Sequence, residues 1–225
     1  MARRTWLFAI LAGTLLVGSG VAIAASLGIT SESLTTFRIV APVPLSTCTL
    51  TPSADSYVDQ ATLEQGSNFG GVTPLQVESS QGFLGLSNSN KRTFVTFNLA
   101  SCSIPAVAAV QSATLSVFLS QAPNQNRTWN INRVTGAWTE NAITWSNQPA
   151  SAASTSVTTG TTSNVTLQAT VTSNVQSFVS GSLTNNGWMF RDSVENSSTL
   201  RNGQFRSREF ATVSERPTLV VNYYP

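Results

Sequence analysis

Hydrophobic and polar positions alternate with a period of two over most of the chain beyond residue 50. Val95, Phe97 and Leu99 share one face against Thr96 and Asn98. Ala113, Leu115, Val117 and Leu119 alternate with Thr114, Ser116 and Ser120. That period places successive side chains on opposite faces of a strand. It predicts strands at Ala54–Asp59, Leu75–Glu78, Thr93–Leu99, Ala113–Leu119 and Trp129–Val134, and a closing stripe of Leu219, Val221 and Tyr223. Asn68-Phe69-Gly70-Gly71 and Asn147-Gln148-Pro149 supply turn chemistry between them. One segment departs from the period. Val171, Val175, Phe178 and Val179 recur at i, i+4, i+7 and i+8 with Gly181 just beyond, which reads as one short amphipathic helix with a glycine stop. Such a helix can cover an open edge or end of a sheet. Many short strands, Gly/Pro/Asn turns and no fixed repeat make the chain an all-β sandwich with one short helix.

The first 24 residues follow a different pattern. Arg3 and Arg4 precede an apolar run from Trp6 to Val21, and Ala22-Ile23-Ala24 has the small-x-small form of a cleavage site. This is a signal peptide pattern. The other reading is an uncleaved membrane anchor, which Gly13, Thr14, Gly18, Ser19 and Gly20 weaken. Residues 25–50 form a Thr/Ser-containing arm with Pro42 and Pro44, and residues 51–225 the compact domain. An arm of this kind can add a strand to a neighbouring molecule, so self-association is one possible use of it.

Removal of residues 1–24 changes the electrostatics. The twelve Lys and Arg include Arg3 and Arg4, so ten basic residues then face ten acidic ones. A net charge of zero gives no support to a nucleic-acid or membrane-surface role. The chain has no histidine, which excludes Ser-His-Asp and Cys-His catalysis and most zinc or iron sites. Cys48 and Cys102 are the two cysteines; in an exported chain such a pair implies one disulfide, here joining the segment before the first strand to a loop after the third. A redox or metal thiol pair is the alternative, without a C-x-x-C to favour it.

Candidate binding chemistry lies in four places. Trp138 and Trp145, seven apart in a small, polar run, either plug a core from a loop or stack on a ligand. Thr139 and Glu140 read as a turn or cap. Arg206 and Arg208, two apart on an expected strand, would share one face and suit carboxylates; internal pairing with Glu209, Glu215, Asp192 or Glu195 is the competing reading. Lys91 and Arg92 form a basic pair at a strand start, open to ligand or merely solvated. Asp55 and Asp59, with Glu64, offer hard oxygen ligands for a structural calcium ion; no other cofactor is expected. The ten carboxylates present no recognisable glycosidase pair. Asn126, Asn164 and Asn196 head Asn-x-Ser/Thr triplets, which arise by chance in such a composition and carry no claim.

Several segments, in order, resemble the DNRLRE-domain proteins, a group overlapping carbohydrate-binding module family 96. They are ADSYVDQ at Ala54–Gln60 with the Asn-Phe-Gly-Gly turn and LQV strand, KRTFVTFNLAS, IPAVAAVQSATLSVFL, and the segment V-T-G-x-W-T-E-x-x-x-T-W-x-x-Q-P. The helix ending VQSFVSG, then FRSREF and PTLVVNY, complete the series over about residues 52–225. The resemblance implies a jelly-roll-type β-sandwich, usually non-catalytic, on secreted or surface proteins, with some members binding acidic polysaccharides such as alginate. It also favours a structural reading of Trp138 and Trp145, which lie in its most specific motif. The expectation is a secreted or surface-attached polysaccharide-binding module without enzymatic activity. A structural or adhesive module of a cell envelope is the alternative, and a lyase or hydrolase a third.

Overall fold

A computed structural model describes residues 43–82 and 88–225. The signal-like segment and the arm as far as Pro42 lie outside the described residues. Eleven strands and one α-helix are present among those residues: β1 (Ser46–Leu50), β2 (Ala54–Asp59), β3 (Leu75–Ser79), β4 (Lys91–Thr96), β5 (Ala109–Gln121), β6 (Thr128–Val134), β7 (Ser151–Thr158), β8 (Val165–Thr170), α1 (Thr172–Val179), β9 (Trp188–Asp192), β10 (Arg201–Phe205) and β11 (Thr218–Tyr224). All pairings are antiparallel, in the order β1-β11-β5-β10-β3-β4-β9-β6-β7, with β2 added on β4 and β8 on β5. The sheet curls on itself and closes a core between its two halves, which is the expected sandwich with a single helix.

The expected alternation carries the core. In β5, Ala113, Leu115, Val117 and Leu119 are buried while Ser112, Thr114 and Ser116 lie on the opposite face. They meet Leu75, Val77, Val95, Trp129, Ile131, Trp188, Phe190 and Phe205 from the other strands. The helix sits where its spacing requires: Val175 and Phe178 are buried, and Phe178 meets the Trp188 ring edge-on at 5.5 Å. Asn174 accepts the Trp188 indole N–H at 3.0 Å, and Gly181 leaves the helix at φ +73°. Only glycine adopts that conformation without cost.

Three expectations about the chain's organisation need correction. The domain begins earlier than residue 51, because Ser46–Leu50 pairs with β11 in register from Ser46–Tyr223 to Leu50–Leu219. Five residues of Ser, Thr, Cys and Leu alternate too briefly to stand out from the preceding Thr/Ser-rich stretch. Cys48 therefore lies inside the first strand rather than before it, and it is disulfide-bonded to Cys102 at the end of a 3-10 turn, Leu99–Cys102. That turn also ends the strand expected to reach Leu99; β4 stops at Thr96. Strand β7, for which the sequence offered no expectation, holds only Ser, Ala, Thr and one Val, with no apolar stripe, and is a strand through its pairing with β6.

The disulfide closes a span of 54 residues and fastens β1 to the β4–β5 connection. Replacing both cysteines with alanine is expected to cost about 3–4 kcal/mol from loop-closure entropy. Urea unfolding of the two proteins measures it; an unchanged midpoint at equal slope would show that the bond adds nothing.

Candidate functional site

A second, smaller core lies outside the sandwich. Val58 of β2, Phe94 of β4, Val134 of β6 and Met189 of β9 point away from the main core and are covered by Ile143, Trp138 and Trp145 of the segment 136–149. The Trp138 indole N–H donates to the Asn186 carbonyl at 2.8 Å, and its ring tilts against Phe94 at 5.7 Å. The segment is tied down along its length. Asn68 donates to the carbonyls of Glu140 and Ile143, Asn147 closes its own turn through Thr144 N–H and Ala142 O, and the Ser146 N–H reaches Gln65 O. Gly70 permits this approach: a Cβ there would stand 2.4 Å from the Glu140 carbonyl oxygen. Ala137, Trp138, Thr139, Ala142, Ile143 and Asn147 line a shallow cavity of about 300 Å³ on this cover.

Beside the cover lies a pair of guanidinium groups. Arg92 points outward from β4 and grips Glu195 with two bonds, 2.7 Å from Nε and 2.8 Å from Nη2. Its Nη1 donates to Gln148 at 3.1 Å, and its guanidinium lies 4.4 Å from the centre of the Trp145 ring. Arg191 of β9 stands one step beyond the Thr93–Phe190 register pair, next to Arg92. It reaches Glu195 only at 3.6 Å, its side chain is 34% exposed, and its buried Nε has no hydrogen-bond partner. Two cations thus share one carboxylate beside a half-buried indole. A planar fork with a side chain 34% exposed, next to an aromatic face, is suited to a sugar carboxylate and the apolar face of a ring.

Other expected site residues are placed apart. Lys91 and Arg92 do not form one basic corner, because consecutive strand residues face opposite ways. Lys91 turns to the other side, where Glu78 meets its ammonium at 2.9 Å and Asp59 at 3.6 Å. Arg206 and Arg208 do not share a strand face either. Strand β10 ends at Phe205, where its pairing with β3 and β5 runs out, and the chain turns. Arg206 pairs with Glu215 at 3.1 Å and lies 3.9 Å over the Phe210 ring. Arg208 pairs with Glu209 at 2.7 Å and Glu140 at 3.1 Å and also donates to the Ser53 carbonyl. Internal pairing therefore engages both, but Asp192 belongs to Arg127 and Glu195 to Arg92 and Arg191. The acidic trio Asp55, Asp59 and Glu64 does not converge. Asp59 is engaged by Lys91 and by the Ala61 N–H, whereas Asp55 meets Glu140 and Glu209.

The model of carbohydrate-binding module family 96 matches residues 46–223, from the first residue of β1 to within the last strand. The chain belongs to carbohydrate-binding module family 96. No curated protein matches it. In this family-96 chain the conspicuous tryptophans are both packed on the outer core. Arg191, by contrast, carried no signal in the sequence: it is a single arginine inside WMFRD, and only the β4–β9 register sets it beside Arg92.

Truncation of Trp138 tests the outer core. Trp138→Ala is expected to lower stability by about 2–3 kcal/mol, less than a fully buried Trp because the ring is only partly buried. Trp138→Phe should recover most of the packing and lose about 1 kcal/mol with the indole bond. Denaturant midpoints decide it; wild-type stability in the alanine variant would show that the segment is not pinned by this ring.

Proposed function

We propose that this family-96 module is secreted, binds an acidic polysaccharide without catalysis, and does so on the outer sheet face beside the 136–149 cover. The observation that carries the reading is the Arg92–Arg191 pair with one shared carboxylate, a partly exposed Arg191 guanidinium held only by a 3.6 Å contact, and the Trp145 ring at its edge. A carbohydrate carboxylate arriving there accepts from Arg191 and replaces weak 3.6 Å contact with a short charge-assisted bond. Gln148, already oriented by its bond to the Trp145 carbonyl at 3.0 Å, adds an amide for hydroxyl recognition. Lys91, Arg206 and Arg208 contribute less in this reading, since each is held by internal carboxylates.

The family membership and the paired cysteines support an extracellular setting, where disulfides persist. Among the described residues no helix is long and apolar enough to cross a membrane. The absence of histidine and the binding-module family support a role without turnover. The balanced charge beyond residue 24 supports selective rather than general polyanion binding.

Affinity electrophoresis against alginate, pectin and a neutral glucan tests the reading. Retention by the two acidic polymers that weakens with added salt is expected, with none by the glucan. Arg191→Gln should weaken that retention about tenfold. Its melting temperature should stay within about 2 °C, since a long, partly exposed ion pair contributes little. Retention by the neutral glucan alone, by no polymer, or undiminished in Arg191→Gln would reject the proposed face.

A further inference from the structure

Three carboxylates from distant parts of the chain meet around one arginine. Asp55 comes from β2, Glu140 from the outer cover and Glu209 from the turn after β10, and each brings an oxygen within 4.8 Å of the other two. Asp55 is fully buried, at 0% exposure. Its Oδ2 accepts the Arg208 backbone N–H at 2.8 Å, but Oδ1 has no partner. Glu209 repeats the arrangement: Oε1 takes Arg208 Nε at 2.7 Å, while the buried Oε2 has none. Glu140 is held in place by accepting the Asp55 backbone N–H at 3.0 Å, and its Oε1 forms an ion pair with Arg208 at 3.1 Å.

The charges do not balance. Three carboxylates lie around one guanidinium, which pairs with Glu140 and Glu209 but not with Asp55, and Arg216, which lines the adjoining cavity of about 350 Å³, gives its Nε to the Phe210 carbonyl. A buried, unpaired carboxylate oxygen costs free energy unless a cation or a proton meets it. Burial first, then Glu209 and Glu140, push the Asp55 carboxyl up to about 8, against the opposing hydrogen bond from Arg208.

We propose that Asp55, Glu140 and Glu209 hold a divalent cation of calcium type, with the unpartnered Asp55 Oδ1 and Glu209 Oε2 as ligands. Calcium binds oxygens at about 2.3–2.6 Å, so two of its ligands stand up to about 5 Å apart, and the trio fits this span. All three donors are hard oxygens, which suits calcium or magnesium over zinc. A neighbouring cavity open to water, which can supply further oxygen ligands, favours the higher coordination number of calcium. The ion would join β2, the outer cover and the turn after β10, so its effect is on stability. This site is independent of the Arg92–Arg191 face and needs no sugar for its test.

The test compares melting curves of the EDTA-stripped protein with and without calcium chloride, beside calorimetric titration with calcium. At a hundredfold excess over Kd the melting temperature should rise by about 5 °C or more, and magnesium should raise it less. Glu209→Gln should abolish the rise while circular dichroism shows the same fold. If that variant does not fold, Asp55→Asn serves, being nearly isosteric and removing one of the crowded charges; it should be insensitive to calcium. Identical melting of wild type in EDTA and calcium, with no heat of binding, overturns the proposal and leaves a proton on Asp55 as the balancing charge. A calcium shift that persists in both variants overturns it equally, by placing the ion elsewhere.

Discussion

Both faces of β4 are buried, and the positions of most functional groups follow from that constraint. Val95 looks into the sandwich core, while Phe94 looks out beneath Trp138 and Ile143. Sheets of antiparallel sandwiches commonly leave one face to water. Here the outer face is apolar at Val58, Phe94, Val134 and Met189, so it must be covered, and the 136–149 segment is the cover. Where the cover ends, the same face turns polar, and there Arg92 and Arg191 emerge. The hydrophobic demand of the outer core thus sets the place and orientation of the polar surface beside it.

The same packing explains the treatment of charge. The domain is poor in charged residues, and most of those described are paired across strands or between a strand and a loop. Arg127 grips Asp192 through two bonds, Lys91 bridges Glu78 and Asp59, and Arg206 meets Glu215. Lys91 faces two acids, but neutral donors from Ala61, Ser89 and Asn202 complete those carboxylates, whereas two other places are out of balance in opposite senses. At the Arg92–Arg191 pair, two cations share one acid. Around Arg208, three acids cluster beside one cation that pairs with two of them. Imbalance among otherwise satisfied pairs is what gives each place a capacity to bind: an anion at the first, a cation at the second.

The tryptophan segment also changes meaning. In sequence its two rings look like a platform for sugar rings. In the fold Trp138 is a packing residue with its N–H committed to Asn186, while Trp145 joins the outer core and the ligand face through Arg92. Glu140 of the same segment serves neither a cap within its own turn nor solvent. It accepts from the backbone of β2 and joins the acidic trio. One stretch of chain therefore supports packing, the binding face and the acidic cluster together.

The alternation of Ala113 to Leu119, the 3.6-residue spacing of Val171 to Val179 and the turn residues were enough to determine an all-β sandwich with one short helix, because those periods depend on local geometry alone. The order of motifs was enough to point to the family. The tertiary structure alone decided the rest. Strand β7 exists only as a partner of β6, and β1 was hidden by a composition it shares with the preceding arm. Arg191 meets Arg92 through the register of two strands nearly a hundred residues apart in sequence, and Asp55, Glu140 and Glu209 come together from three different motifs. Neighbourhoods of this kind are set by strand pairing and by how the cover packs, which no local spacing along the chain encodes.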